Sequence, residues 1–258
     1  MVIAITREVS PAMKNCELTH LARQPIDIDL ARQQHRAYEE ALKKLGCEVQ
    51  RLPVEPDLPD SVFVEDAAIV LDEIAIITRP GAVSRRPETT SIASALKPYR
   101  RLCMVEPPGT EDGGDVLVVG KNVYVGQSSR SNAPAIEQMQ NYLSSFGYIV
   151  QSIDVRGFLH LKSAVTLIAK DTLLINPAWV DASIFGELRI VEVDPREPYS
   201  ANALWIGNGV IYPANFPHTR QRIEQVLEKR KMQLYAVDVS EFQKAEGAVT
   251  CCSLIIHP

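Results

Sequence analysis

The sequence predicts an α/β fold: five ββαβ units in a pseudo-fivefold ring, closed by pairing the N- and C-terminal strands. Three observations carry this. Four times the chain runs strand, tight turn, strand, helix, strand, at a spacing of roughly 40–50 residues, a period that marks repeat architectures. The ends hold the parts of a fifth unit, with a lone strand at the C-terminus and strand, helix and strand at the N-terminus. Joining them uses every segment and removes sheet edges that an open arrangement must protect. One domain over residues 1–258 follows, in preference to two α/β lobes split near residue 157.

In order, residues 2–6 read as a buried strand. Residues 8–25 hold Pro11, Pro25 and mixed polarity, and so long a stretch without periodicity is often a lid. Asp27 and Asp29 open a helix with Leu30, Ala37, Tyr38, Ala41, Leu42 and Leu45 on one face, and Gly46 ends it. A strand at 47–52 follows. The first repeat is a hairpin (67–71, 74–78), a helix near 87–97 and a strand at 101–105. The second is a hairpin (116–119, 123–126), a helix at about 134–146 with Ile136, Met139, Leu143 and Phe146 inward, and a strand at 148–154. The third is a hairpin (164–169, 172–176), a short helix around 180–186 and a strand at 188–193. The fourth is a hairpin (203–206, 210–212) across Gly207-Asn208-Gly209, a helix at about 217–230 and a strand at 233–237. After a turn at Gly247, an apolar, β-branched strand over 251–256 carries Cys251 and Cys252.

With 46% hydrophobic and 23% charged residues, the composition is that of a soluble globular protein able to bury a large core. A net charge of -5 without a basic run argues against nucleic acid and suits a cationic small molecule. No apolar run reaches the roughly 18–20 residues that span a bilayer, and the first residues lack a signal-peptide layout. Cysteines 16, 47, 103, 251 and 252 are odd in number and scattered, which predicts reduced thiols in the cytoplasm. No CxxC pair or histidine spacing suggests a structural metal, and no cofactor is expected. A homodimer is compatible with the sequence.

Several polar stretches interrupt the apolar pattern. Asp60, Glu65 and Asp66 precede a buried strand. They read either as turn residues or as an acidic pocket, where paired carboxylates would hold a planar cation. Asp112 and Asp115 flank a double glycine that lets backbone approach closely. His160 lies just before a strand; near a thiol it is the natural proton carrier, its ordinary pKa of about 6.5 lying close to neutrality. Arg85 and Arg130 stand at matching places in successive units, on the surface or gripping a carboxylate. Strand alternation sends Cys251 and Cys252 to opposite faces, so one at most meets a given pocket, and spacing alone does not choose between them.

Five motifs in register, DSVFVED at 60–66, ITRPGAVSRR at 77–86, DGGD at 112–115, HLKS at 160–163 and TCCSL at 250–254, resemble the dimethylarginine dimethylaminohydrolase family. That family sits within the guanidine-modifying enzymes, whose fold is a five-bladed α/β propeller. The resemblance implies hydrolysis of Nω-methylated arginine to citrulline and a methylamine. It implies Cys251 as nucleophile, His160 as general acid and base, and Asp112 as the third member of the triad. It further implies Glu65 and Asp66 at the guanidinium, and Asp60, Arg85 and Arg130 at the amino-acid end. Phe63 is implied as a wall, Leu18 as a lid contact and Ala245 as a backbone contact. Two positions depart from the family pattern. Glu246 replaces Asp, a longer arm that alters recognition of the α-amino group, and Ala245 is smaller than the usual Val or Ile. Arginine deiminase or amidinotransferase chemistry, or a non-catalytic binder of cationic amino acids, stay open beside this reading.

Overall fold

The computed structural model describes residues 1–155 and 157–257. The chain opens with β1 (Ile3–Arg7), α1 (Ile28–Lys44) and β2 (Glu48–Leu52). The Asp27 carboxylate caps α1 by accepting the N–H groups of Asp29 and Leu30, and Gly46 ends it with φ +84°. Then come β3 (Ala68–Val70), β4 (Ile74–Ile77), α2 (Glu88–Leu96) and β5 (Arg101–Met104). The next unit is β6 (Val116–Val119), β7 (Asn122–Gln127), α3 (Ala133–Leu143) and β8 (Ile149–Asp154). After α4 (Leu161–Ala164) follow β9 (Val165–Ala169), β10 (Thr172–Ile175) and β11 (Arg189–Glu192). The last stretch is β12 (Leu204–Ile206), β13 (Gly209–Pro213), α5 (Pro217–Lys229), β14 (Gln233–Val237), α6 (Ser240–Gln243) and β15 (Leu254–Ile256).

Among the described residues these strands make five three-stranded sheets. Each has the same plan: the middle strand is antiparallel to its inner neighbour and parallel to its outer one. The fifth sheet joins the two ends of the chain, with β15 antiparallel to β1 in the register Ile3–Ile256 and Ile5–Leu254. The parallel outer pair needs a crossover, and four of the five units use a helix for it. The inner strands β3, β6, β9, β12 and β15 surround a central cavity of about 210 Å³. The ring of five units read from the sequence is therefore the observed fold.

Two elements differ from expectation. Instead of a helix over 180–186, the chain makes a 3-10 turn at Ala182–Phe185, where Asp181 accepts the Ser183 N–H at 2.9 Å. The expected strand over 251–256 begins only at Leu254, and Cys251 and Cys252 lie in a turn. The Ala248 N–H points at the Cys251 sulfur (3.4 Å), the Cys252 thiol donates to the Ala248 carbonyl (3.5 Å), and Glu65 N–H donates to the Cys251 carbonyl (3.1 Å). These contacts hold the turn, and none is visible in a run of Thr, Cys and Leu.

Candidate active site

In each unit the segment just ahead of the inner strand points to one end of the ring. Residues 60–67, 111–115, 159–164, 199–203 and 245–253 thus converge, although they are far apart along the chain. Two cavities open there. The narrow one, about 20 Å³, is lined by Asp60, Phe63, Asp66, Arg85, Arg130, Ala245 and Glu246, together with His160 and Cys251. The wide one, about 460 Å³, shares Leu159, His160, Glu246, Gly247 and Cys251 with it and adds Glu65 and Lys162. Of the two adjacent thiols only Cys251 meets these cavities; Cys252 is buried in the apolar core.

His160 stands at the N-cap position of α4, one short turn ahead of β9, and its side chain makes no capping hydrogen bond. Its Nε2 lies 3.1 Å from Asp112 Oδ2, and its Nδ1 lies 3.9 Å from Asp66 Oδ1. Burial would lower the imidazole pKa, but the carboxylates of Asp66, Asp112 and Asp115 outweigh it and raise it to about 9. Asp66 itself is held well below the usual carboxylate range: burial opposes this, but the charges of His160 and Arg85 dominate. The Gly114 N–H also donates to Asp66 Oδ1, at 2.9 Å. A Cβ on Gly113 would stand 2.0 Å from the Glu65 carbonyl and one on Gly114 2.5 Å from His160 Nδ1, so the double glycine brings acid and imidazole together.

Asp112 is fully buried behind the ring, and its Oδ1 accepts the Gly81 N–H at 2.9 Å. Asp115 had no role assigned from the sequence. Its Oδ1 takes the Leu161 N–H (2.9 Å), and its Oδ2 takes the hydroxyls of Ser128 (2.6 Å) and Ser131 (2.7 Å). One carboxylate therefore ties the residue after His160 to the loop that carries Arg130.

Cys251 carries a thiol whose pKa is pushed up to about 12, by burial first and then by the negative charges of Glu65 and Asp66. Glu65 faces the wide cavity, where it pairs with Lys162 (2.6 Å) and accepts from the Thr250 hydroxyl (2.8 Å). Glu65, Lys162 and Thr250 also line the central cavity, so they stand between it and the site. Asp66, Asp112 and His160 bring three donor atoms within 4.8 Å of one another, a spacing a metal ion could use. Hydrogen bonds from Arg85, Gly81 and Gly114 already satisfy those carboxylates.

The remaining candidates divide. Arg130 lines the narrow cavity, and its Nη2 donates to Thr19 Oγ1 at 2.8 Å. Arg85 lines it too, but its guanidinium is engaged by Asp66 (2.6 Å) and Glu88 (2.9 Å) and by the carbonyls of Asp60 and Phe63. Phe63 is packed edge-on against Phe242, with centroids 6.1 Å apart. Leu18 packs on the apolar core, and neither cavity has it as a lining residue. Its neighbour Glu17, which sequence reasoning missed, lines the narrow cavity, and its N–H donates to Asp60 at 3.0 Å. The Glu246 carboxylate accepts three successive N–H groups, of Thr19 (2.8 Å), His20 (2.6 Å) and Leu21 (2.7 Å). Its longer arm thus grips the loop read as a lid.

Fold and site together define an α/β propeller enzyme type: a thiol and an imidazole on the wall shared by two cavities, a buried carboxylate behind the imidazole, and further acids and an arginine lining the narrow cavity. The family model described as "N,N dimethylarginine dimethylhydrolase, eukaryotic" matches residues 12–184. The chain is 36% identical to the N(G),N(G)-dimethylarginine dimethylaminohydrolase of Pseudomonas aeruginosa, covering 88% of this chain and 89% of that one. It is 38% identical to that of Streptomyces coelicolor, covering 97% and 95%. A Pseudomonas aeruginosa structure, a cysteine-to-serine mutant complexed with citrulline, superposes with a TM-score of 0.93 at 34% identity and 98% coverage of both chains. The chain belongs to the dimethylarginine dimethylaminohydrolase family. The N-terminal domain of a cyanobacterial arginine dihydrolase, at 18% identity and a TM-score of 0.84, shares the fold.

Proposed function

We propose that the chain hydrolyses Nω-methylated L-arginine to L-citrulline and a methylamine through a covalent S-alkylthiouronium intermediate on Cys251. The observation that carries this is the shared wall of the two cavities, where Cys251 and His160 meet a narrow pocket ending in Asp60 and Arg130. Two relatives support it: the cysteine-to-serine mutant that holds citrulline, and a histidine-to-glycine mutant solved as an adduct with S-methyl-L-thiocitrulline, 33% identical to this chain. The five free thiols suit a cytoplasmic setting.

The substrate's amino-acid end lies in the narrow cavity, its carboxylate on Arg130 and its ammonium at Asp60 beneath the loop held by Glu246. The guanidinium reaches the shared wall between Asp66 and Glu65. There its positive charge offsets the two acids that keep the Cys251 proton in place, and the sulfur releases that proton to solvent and becomes a thiolate. Sγ adds to Cζ, and the His160 imidazolium protonates the departing amine. Neutral His160 then takes a proton from water, whose oxygen becomes the ureido oxygen as the C–S bond breaks. Asp112 keeps the ring oriented and stabilises its cationic form, as the acid of a triad does.

Feeding arginine, monomethylarginine and dimethylarginines to Cys251→Ser and Cys252→Ser variants tests the assignment. Citrulline and methylamine from the methylated substrates should disappear in the first variant and persist in the second. Equal activity in both, or ammonia from arginine as the main product of the native chain, would contradict it.

A further inference from the structure

The wide cavity is much larger than the reaction just described requires. A dimethylamino leaving group has three heavy atoms, whereas about 460 Å³ lies in the range that encloses drug-sized ligands. The narrow cavity, at about 20 Å³, has room for little more than a water while the loop ahead of α1 is in place, and so offers none for a bulky substituent. The wide cavity also touches both Cys251 and His160. One part of its wall is apolar and aromatic, with Phe158, Tyr199, Pro213 and Phe216, while Glu65, Lys162, Asn202 and Gln243 line other parts. That wall is preformed: Phe158 stacks on Trp179 at 5.0 Å, and Trp179 meets Tyr199 edge-on at 5.2 Å.

We propose that the chain also hydrolyses arginines whose Nω-substituent is far bulkier than methyl, alkyl or arylalkyl groups that occupy this aromatic-walled cavity and leave as primary amines. The inference rests on the methylarginine hydrolysis proposed above and extends its substrate class. The amino-acid end takes Asp60 and Arg130 from the loop at the narrow cavity, and the carbon attacked by Cys251 sits at the shared wall. The Cζ–Nω bond to the substituted nitrogen then points into the wide cavity. Sγ adds to Cζ, and that bond breaks as the adduct collapses, the amine taking its proton from His160. One water restores the thiol. In net terms a substituted guanidinium and one water become a ureido group and an alkylammonium ion, with no redox change.

The test compares Nω-methyl-, Nω-propyl- and Nω-benzyl-L-arginine on the full chain, with citrulline and the released amine both quantified. The native chain should process the propyl and benzyl substrates with kcat/KM within about tenfold of the methyl one, since an open apolar pocket discriminates weakly against size. Ser163→Phe, which adds bulk to the cavity lining, should lower the benzyl-to-methyl ratio by about tenfold or more. Methyl turnover with loss of propyl and benzyl turnover beyond a hundredfold would overturn the inference alone and make the cavity a water passage. An unchanged ratio in Ser163→Phe would overturn it too. Failure of the methyl substrate as well would remove the reading on which it stands.

Discussion

At pH 7 the sulfur of Cys251 carries its proton, because burial and the charges of Glu65 and Asp66 push its pKa to about 12. The imidazole of His160 is also protonated, its pKa raised to about 9 by the carboxylates around it. The resting pair is thus a thiol and an imidazolium, and in the proposed mechanism the substrate's own cation supplies the charge that makes the nucleophile. Alkylation of Cys251 by iodoacetamide should rise about tenfold per pH unit from 7 to 10 without levelling, as expected of a thiol still far below its pKa. A plateau below pH 8, followed by peptide mapping of the labelled residue, would contradict this account of activation. Sequence alone could place His160, Cys251 and Asp112 on a list but not set these charges. The shifts come from acids distant along the chain: Asp66, Asp112 and Asp115 act on His160, and Glu65 and Asp66 on Cys251.

At the scale of elements, the loop ahead of α1 is held shut by the side chains expected to bind substrate. Glu246 accepts the N–H groups of residues 19–21, Arg130 bonds Thr19, and Asp60 takes the Glu17 N–H. In the proposed binding mode, substrate ammonium and carboxylate would compete with the latch, which would couple loop opening to binding. Glu246→Ala should speed amide exchange at residues 19–21 by about tenfold or more, by removing a charged acceptor shared by three donors. Unchanged exchange there would show that the loop is held elsewhere. The loop's length and prolines were legible in the sequence; its latch was not, because Glu246 lies 225 or more residues from its partners. The regular elements were legible for the opposite reason: alternation within strands and the apolar face of α1 are local signals. Local signals also misled where tertiary contacts decide. The cysteine turn was read as strand because its residues favour strands, and the 3-10 turn at Ala182–Phe185 was read as a helix.

For the whole molecule, fivefold repetition explains why residues so dispersed meet. Every unit turns the same corner ahead of its inner strand, and closure through β1 and β15 brings the cysteine turn beside the DSVFVED segment. That geometry concentrates buried charge at one end, and stability should depend on pH accordingly. His160 has a folded pKa of about 9, above its ordinary 6.5, so its contribution is full below pH 6.5 and lost as pH rises through 9. Asp66 is depressed, so its contribution is present above the ordinary carboxylate pKa and lost in acid. Burial raises Glu88 to about 7 and holds Glu111 well above its usual range. Each of these carboxyls also makes the fold weaker as pH rises. Urea unfolding should therefore show stability falling from pH 5.5 to 9.5, with a shallower fall in His160→Gln. A flat or rising profile would mean that these groups are not charged as described.

The most direct test of the central claim is intact-mass spectrometry and peptide mapping of the native chain, acid-quenched during turnover of Nω,Nω-dimethylarginine. A thiouronium adduct on Cys251, and none on Cys252, is the predicted result. An adduct on Cys252, or steady citrulline formation with no protein-bound intermediate at any quench time, would contradict it.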